Sequence, residues 1–367
     1  MDESSVVDQK FGFLSKRGIH PVPECSMETK FDGKRNKRGD WQPAEPIRYA
    51  PVFEWPLRPL AILKWLFGYP GFFLPWGIVY MAVPVLIWLY LTPPLEAMRS
   101  FEAGWIAFIV LRNLALILLV IGAWHLWLHV MKAQGADWKY SSKWLARDNP
   151  IFLFRNQAMD NLFWTVASAV PIWSAYEVLT LWLYANNYIP YVSIEDHPIY
   201  FVFMMCMVPL IRELHFFAIH RISHWGPLYR WAHYLHHNNV NVGPMSGLSM
   251  HPIEHLLYFS GIIIHWIIPS HPIHALFHIQ HAGITPAQGH AGFERIVLVE
   301  GVAVKTHDFF HYLHHRYFEC NYGADGPIPL DRWFGTFHDG TIEAQTRMDE
   351  RFLLRAKQKA AAEGEAT

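Results

Sequence analysis

Long apolar stretches dominate the first two thirds of the chain, and four of them exceed the roughly 20 helical residues needed to cross a hydrocarbon layer about 30 Å thick. They lie near residues 72–92, 104–130, 160–186 and 199–222. A further apolar run is split at residues 269–272 into arms 256–268 and 273–281, and at about 1.5 Å per residue neither arm reaches across a bilayer. The pattern predicts an all-α integral membrane helical bundle of about four transmembrane helices with a re-entrant or interfacial hairpin.

The polar stretches between and beyond these segments predict four regions. Residues 1–66 are mixed in charge and interrupted by proline, and they predict an irregular cytosolic N-terminal arm. Residues 67–200 hold most of the transmembrane helices, and residues 201–340 form a histidine-rich domain whose polar part caps the bundle. Residues 341–367 form a polar C-terminal helix or tail.

Lysine and arginine are distributed unevenly among the loops. The loop 131–159 carries several of them, whereas the loops 93–103 and 187–198 hold only Arg99. By the positive-inside rule, loop 131–159 and both termini are cytosolic, and the end of the fourth segment lies on the same side. The acidic and polar first residues resemble no cleavable signal, which slightly favours a bacterial inner membrane over an organelle.

The overall composition agrees with a membrane protein. Of the 367 residues, 52% are hydrophobic, 16% are aromatic and only 17% are charged. A formal net charge of -1 gives no basic face for nucleic acid, so no nucleic-acid partner is expected. Three scattered cysteines are too few for a disulfide framework or a thiolate cluster.

Histidine is the residue type that points to chemistry, because imidazole binds transition metals without adding charge. Eighteen of the 23 histidines lie between His215 and His315. The segments 233–237 and 311–315 both read H-x-x-H-H, and His220 and His224 form an i, i+4 pair. On a helix each of these spacings aims its imidazoles to one narrow face. The eight imidazoles are more than one tetrahedral zinc can use, so the spacing predicts a site for two metal ions.

Other histidines are less informative. His307 shares the helical face of the 311–315 segment and is predicted to be a ligand or to support one. His265, His271, His274 and His278 are interpreted as hydrogen-bonded core residues.

Six motifs follow one another along the last half of the chain: HRISH at 220–224, HYLHH at 233–237, SMHPIEH at 249–255, GHAGFE at 289–294, HYLHHRYFECNYG at 311–323 and LDRWFGT at 330–336. With these motifs, the segment from about Ile211 to Thr336 resembles the membrane-bound fatty acid hydroxylase and sterol desaturase superfamily. This resemblance implies that residues 201–340 are a catalytic domain with a non-haem di-iron centre, which uses O2 and two external electrons to attack an unactivated C–H bond of a membrane lipid. Both hydroxylation and desaturation fit, and the resemblance does not specify the lipid.

The resemblance also implies which residues hold the metal. His281 is an alternative to His290, which is favoured, and His251 and His255 are further candidates for ligands or for groups that orient ligands. Asn321 and Asp331 are expected to be structural. The implied iron ligands are His220, His224, His233, His236, His237, His290, His311, His314 and His315.

The implied enzyme is an oxidoreductase that needs a separate source of electrons. The sequence contains neither a cysteine-rich iron–sulfur motif nor a haem-binding cytochrome domain, so the expected partner is an electron donor of the ferredoxin or cytochrome type. The lipid is expected to reach the metal through an apolar tunnel between the helices.

Three rivals come from other classes, and one of them, a non-catalytic relative that keeps the scaffold, is disfavoured by the complete set of implied ligands. Residues 251–255 read H-x-x-E-H, which matches the inverted motif of some zinc proteases, although one zinc would leave both H-x-x-H-H segments unexplained. A metal transporter is the remaining rival, but it should place polar ligands in the middle of the membrane rather than at one face.

Overall fold

The computed structural model describes residues 33–36, 39–44, 46–299, 301–323 and 326–365, and within these ranges the chain is mainly helical. Most of the predicted N-terminal arm therefore lies outside the described residues. Its described part begins with a short antiparallel hairpin of β1 (Gly33–Arg35) and β2 (Trp41–Pro43), followed by α1 (Pro59–Phe67). Trp41 is buried beside Tyr140, which attaches this hairpin to the loop that was predicted to be cytosolic.

Three helical segments of the described chain are long and apolar enough to cross a membrane. The first is α3 (Ala103–His125), which continues through a π-helical turn at Leu126–Val130. In the second, α4 (Gln157–Trp164) continues through a π-turn into α5 (Val170–Ala185), and the third is α6 (Pro198–Ser223). The sequence-based expectation of a membrane protein is therefore supported.

The segment predicted at 72–92 is shorter than expected. Its helix, α2 (Trp76–Tyr90), has 15 residues and is about 22 Å long, less than the thickness of the hydrocarbon layer. Proline explains the late start, because Pro70 and Pro75 lack the backbone N–H group, and residues 69–75 form turns instead of helix.

Two ionisable residues inside the bundle, Arg112 and Glu177, are paired with each other. Arg112 of α3 donates a hydrogen bond to Glu177 of α5, and the side chain of Asn113 donates to Glu177 at 2.9 Å and to Ser174 at 3.2 Å. All four residues are buried. Because each charge has a partner, this network explains Arg112 and Glu177 as structural residues of the α3–α5 contact.

After α6 most of the described elements are short, and only the last, α14, is a long helix. They include α7 (Gly226–Leu228), a π-turn at Tyr229–His233, α8 (Tyr234–His237), α9 (Pro252–Phe259), α10 (Pro272–Ile284), α11 (Pro286–Gly289), a hairpin of β3 (Arg295–Val299) and β4 (Val302–Lys305), α12 (Phe309–Tyr317), α13 (Leu330–Trp333) and α14 (Ile342–Glu365).

The two apolar arms predicted around residues 269–272 are present as helices. The first is α9 with a 3₁₀ continuation at Ser260–Trp266, and the second is α10, whose first turn is capped by the His271 side chain. α10 packs against α2, α5 and α6, so this arm lies among the long helices. The arms also contain hydrogen-bonded core histidines: His265 contacts Ser270 Oγ at 2.9 Å and His278 Nδ1 at 3.2 Å.

Candidate metal centre

Nine histidine side chains meet beyond the end of α6. His220 lies in the last turn of that helix and His224 caps it, while His233 ends the following π-turn. The other rings come from three later places in the chain: His236 and His237 on α8, His290 directly after α11, and His311, His314 and His315 on α12. Eight of the nine rings are buried, and His224 is half-buried. They are the same nine residues that the family resemblance implies, and they fall into two groups.

In each group the potential ligand nitrogens all lie within 4.8 Å of one another. The larger group, here called cluster I, contains five histidines, and the smaller, cluster II, contains four. The members of cluster I are His220, His224, His233, His237 and His314, and those of cluster II are His236, His290, His311 and His315.

The nitrogen–nitrogen distances match those around a metal ion. In cluster I the Nε2 atoms of His224, His233 and His237 are 3.0–3.1 Å apart, and Nε2 of His314 is 3.1 Å from that of His237. In cluster II, Nε2 of His290 is 3.1 Å from that of His315 and 3.2 Å from that of His311. Ligands at about 2.1 Å from a common ion are about 3.0–3.4 Å apart, so each group encloses a space of the right size.

Each H-x-x-H-H segment is divided between the clusters. The i, i+4 pair His233 and His237 belongs to cluster I, whereas His236 between them turns to cluster II. In α12 the arrangement is reversed, since His311 and His315 belong to cluster II and His314 turns to cluster I. The sequence-based expectation that each segment directs all three rings to one space is therefore too simple.

The second nitrogen of many of these rings is held by a hydrogen-bond acceptor. Nδ1 of His220 donates to the carbonyl of Tyr322 at 2.7 Å, and Nδ1 of His314 donates to that of Cys320 at 2.7 Å. His290 donates in the same way to Pro286 at 3.1 Å. A carbonyl only accepts, so these contacts place the proton on Nδ1 and leave the Nε2 lone pair for a metal.

The ring nitrogens of the clusters are better satisfied by a bound cation than by protein groups alone. Nε2 of His220 is buried and has no hydrogen-bond partner, although it belongs to cluster I. Burial also lowers the pKa of His233 and His236 to about 3, so these imidazoles are neutral at physiological pH. Neutral rings whose lone pairs face one another repel, and a metal ion would relieve this repulsion. The residues present thus suit two transition-metal ions.

The two histidines and the glutamate of the H-x-x-E-H sequence at 251–255 each contact a different part of the protein. His251 caps α9 by accepting from the backbone N–H of Ile253, and His255 contacts Ser168 Oγ at 2.8 Å. Glu254 accepts from Nδ1 of His233 at 2.6 Å, and burial raises the pKa of Glu254 to about 7. Within the described chain, His251 and His255 belong to neither cluster, so they are not brought together as zinc ligands.

The two remaining candidates also lie outside the clusters. His281 is on α10, and its ring is edge-on to that of Tyr80, with the ring centres 5.4 Å apart. The position in cluster II for which His281 was the alternative is occupied by His290. His307 has a positive φ of 58° and precedes the first residue of α12, Phe309. His307 therefore lies outside α12 and does not share a helical face with His311, contrary to the prediction.

The loop after α12 is fixed by the two residues expected to be structural. Asp331 accepts hydrogen bonds from the backbone N–H groups of Tyr322 and Gly323 at 2.9 and 2.8 Å. The side chain of Asn321 donates to the carbonyls of Phe310 and His338. This loop holds the carbonyls that orient His220 and His314, so Asn321 and Asp331 act on the clusters through backbone position.

A cavity of about 260 Å³ opens beside the histidines. Five of the nine cluster histidines line one end, and most of the remaining wall is aromatic, aliphatic or glycine. Residues from α2 and the turn before it also line the cavity, including Trp76 and Tyr80. The sequence carries no signal for these wall residues, because no motif connects them to histidines more than 130 positions away.

The comparisons with known proteins agree with this geometry. Residues 203–336 match the family model described as fatty acid hydroxylase. A Delta(7)-sterol 5(6)-desaturase of Candida glabrata is 27% identical over 154 residues, covering 40% of this chain and 40% of that protein. The Delta(7)-sterol 5(6)-desaturase ERG3B of Gibberella zeae is 25% identical over 130 residues, covering 31% of this chain and 35% of that protein. No solved structure matches.

The matched region contains all nine cluster histidines as well as Glu254 and the loop that orients them. Both relatives come from fungi, so the comparisons do not support the bacterial membrane expected from the first residues. Residues 203–336 of this chain are therefore similar to the fatty acid hydroxylase and sterol desaturase superfamily.

Proposed function

We propose that this protein is an oxidoreductase that hydroxylates or desaturates a membrane lipid with O2 at a di-iron centre. The observation that carries the proposal is the pair of histidine clusters at one end of a largely apolar cavity. Two irons held there would supply the reduction of O2 and the removal of hydrogen from an unactivated carbon. The desaturases among the relatives support a lipid substrate, although the matches span less than half of each relative.

The protein residues would bind the two ions, orient a ligand and position the lipid. The five rings of cluster I would hold one ion and the four rings of cluster II the other, and none of the nine brings negative charge. Glu254 fixes the orientation and tautomer of His233. The cavity walls would position the lipid beside the clusters and exclude water.

The location of the clusters favours an oxidase over a transporter. His220 and His224 are at the end of α6 rather than at its middle, and the other seven belong to short elements that follow. In the topology proposed from the charged loops, this end is cytosolic. An external donor of the ferredoxin or cytochrome type would then deliver electrons from the cytosol.

The test combines metal analysis with lipid analysis. The purified protein should contain two irons per chain, and cells that express it should gain lipid species with an added oxygen or double bond. His236→Ala should lower the iron content and abolish the new lipid species, because His236 is one of the four cluster II rings. His125→Ala is the matched control, since His125 is a half-buried histidine on α3 outside both clusters.

Two outcomes would contradict the proposal. One zinc per chain would exclude the di-iron centre, and lipid profiles identical with and without the active protein would exclude lipid oxidation.

A further inference from the structure

Arg212 is the only lysine or arginine among the described residues that line the cavity. It lies on α6 eight residues before His220, with Phe216 midway, so the three side chains follow one face of the helix. The Phe216 ring is 4.9 Å from the His220 ring, and the Arg212 guanidinium is 5.7 Å from the centre of the Phe216 ring. A continuous wall therefore joins Arg212 to cluster I.

The guanidinium is incompletely compensated. Arg212 is 8% exposed, and Nη2 donates to the Tyr258 hydroxyl at 2.7 Å. Nε is buried without a hydrogen-bond partner. No carboxylate in the described ranges forms an ion pair with Arg212. The Phe216 and Tyr258 rings give only weak cation–π contact, so the charge lacks the anion that a buried arginine ordinarily requires.

The two nearby carboxylates are engaged elsewhere. Glu213, the next residue on α6, accepts from the backbone N–H of Ile328 at 3.1 Å. Glu254 accepts from His233. His281 does not compete as a second cation, because burial, with the Arg212 charge, holds its pKa well below the usual range. The cavity thus offers one fixed positive charge in an otherwise mainly apolar wall.

We propose that Arg212 binds an anionic head group of the lipid, a carboxylate or a phosphate, while the hydrocarbon chain passes Phe216 toward the histidines. The proposal rests on the proposed function in taking this cavity as the lipid site. Eight helical residues correspond to a rise of about 12 Å, so the carbon that meets the clusters is far from the head group. Oxidation is then expected along the chain rather than beside the anion.

The experiment measures binding to the purified full-length protein in a neutral detergent by isothermal titration calorimetry. The probes are octadecanoate, octadecyl phosphate, 1-octadecanol and cholesterol, and the first three share one chain length. Charge-assisted hydrogen bonds should make one or both ionised lipids bind about 10- to 100-fold more tightly than the alcohol. The stronger of the two identifies the head group as carboxylate or phosphate.

Substitutions assign this preference to Arg212. Arg212→Gln should remove the difference between ionised and neutral lipids, and Arg212→Lys should keep part of it because the charge remains. Arg99→Gln, a change of an exposed arginine, should leave the ratio unchanged. The melting temperature checks that each variant folds, and if Arg212→Gln is unfolded, the ratio in Arg212→Lys decides.

The proposal is overturned if octadecanol or cholesterol binds wild type as tightly as the ionised lipids. It is also overturned if the preference survives in folded Arg212→Gln, or remains at its full value in Arg212→Lys when that variant must decide. Binding is measured without turnover, so a protein that fails to oxidise lipid can still pass this test, and one that oxidises neutral lipids can fail it.

Discussion

The buried histidines of this protein differ in what their two ring nitrogens contact. In the clusters, Nδ1 of rings such as His314 donates to a backbone carbonyl while Nε2 faces other Nε2 atoms. In the core, both nitrogens of His265 are used by protein groups, Ser270 and His278. A ring with one satisfied nitrogen and one that converges with its neighbours is a candidate ligand. A ring with two protein partners is a packing residue.

Glu254 gives a residue-scale prediction. Glu254→Ala leaves the buried Nδ1–H of His233 without an acceptor, and loss of such an orienting partner typically weakens metal binding about 10- to 100-fold. Glu254→Gln keeps an acceptor oxygen but loses the charge, so its affinity should lie between alanine and wild type. Competition with a chelator of known affinity measures both. Glu350→Gln, an exposed change on α14, should match wild type.

The ranking of these variants also distinguishes the orienting role from the protease role. A catalytic glutamate of a zinc protease would leave metal affinity nearly unchanged when replaced by glutamine or alanine. Equal affinity in wild type and Glu254→Ala would therefore contradict the role assigned to Glu254 here.

At the scale of elements, close packing of α10 on α5 supports the cavity wall. Trp173 of α5 is fully buried, and a Cβ atom added at Gly283 of α10 would lie 2.5 Å from Cζ3 of its indole ring. Only a residue without a side chain permits this approach. Because α10 also packs on α2 and α6, a shift at Gly283 would move several walls together.

Gly283→Ala is therefore expected to destabilise the protein by about 1–3 kcal/mol, the usual cost of overpacking a core. Gly122→Ala is the matched control, since no atom lies within 4 Å of a Cβ atom added there and alanine is favoured by up to about 1 kcal/mol in a helix. The melting temperature in detergent should fall for Gly283→Ala and hold or rise for Gly122→Ala. A fall of equal size in both variants would refute the packing argument.

The elements were predictable where one physical effect dominates. Apolar length alone places three helical segments, Ala103–Val130, Gln157–Ala185 and Pro198–Ser223, within a few residues of their observed positions. The start of α2 depends on prolines acting against the apolar pattern, and the exclusion of His307 depends on where α12 begins. The Arg212–Tyr258 contact joins residues 46 positions apart and has no local sequence signal. Spacing predicts which faces exist, but tertiary packing decides which faces meet.

At the scale of the whole molecule, the clusters and the lysine-rich loop should share one side of the membrane. Tyr140 of that loop is buried against Phe309 and Tyr312 of α12, so the loop packs directly on the element that carries three cluster histidines. The loop 187–198 lies at the opposite ends of α5 and α6. The side of the membrane on which the loop 131–159 lies is therefore also the side of the candidate metal centre.

Cysteine labelling in sealed vesicles with the cytosolic face outward measures this topology. In a chain with its three cysteines replaced by alanine, Ser142→Cys should react with a membrane-impermeant maleimide, because Ser142 is exposed in the loop 131–159. Glu195→Cys, in the loop 187–198, should react only after detergent is added. The reverse pattern would place the clusters on the other side of the membrane and contradict the proposed cytosolic electron donor.

The exchange of His236 and His314 between the clusters predicts that metal loading is cooperative. Each cluster takes rings from both α8 and α12, so an ion bound in one cluster would fix the positions of both helices and with them the donors of the other cluster. In native mass spectrometry during a titration with Fe²⁺ under anaerobic conditions, we expect metal-free and two-metal protein with little of the one-metal form. Because α8 and α12 each contribute histidines to both clusters, the protein would rarely hold only one metal ion.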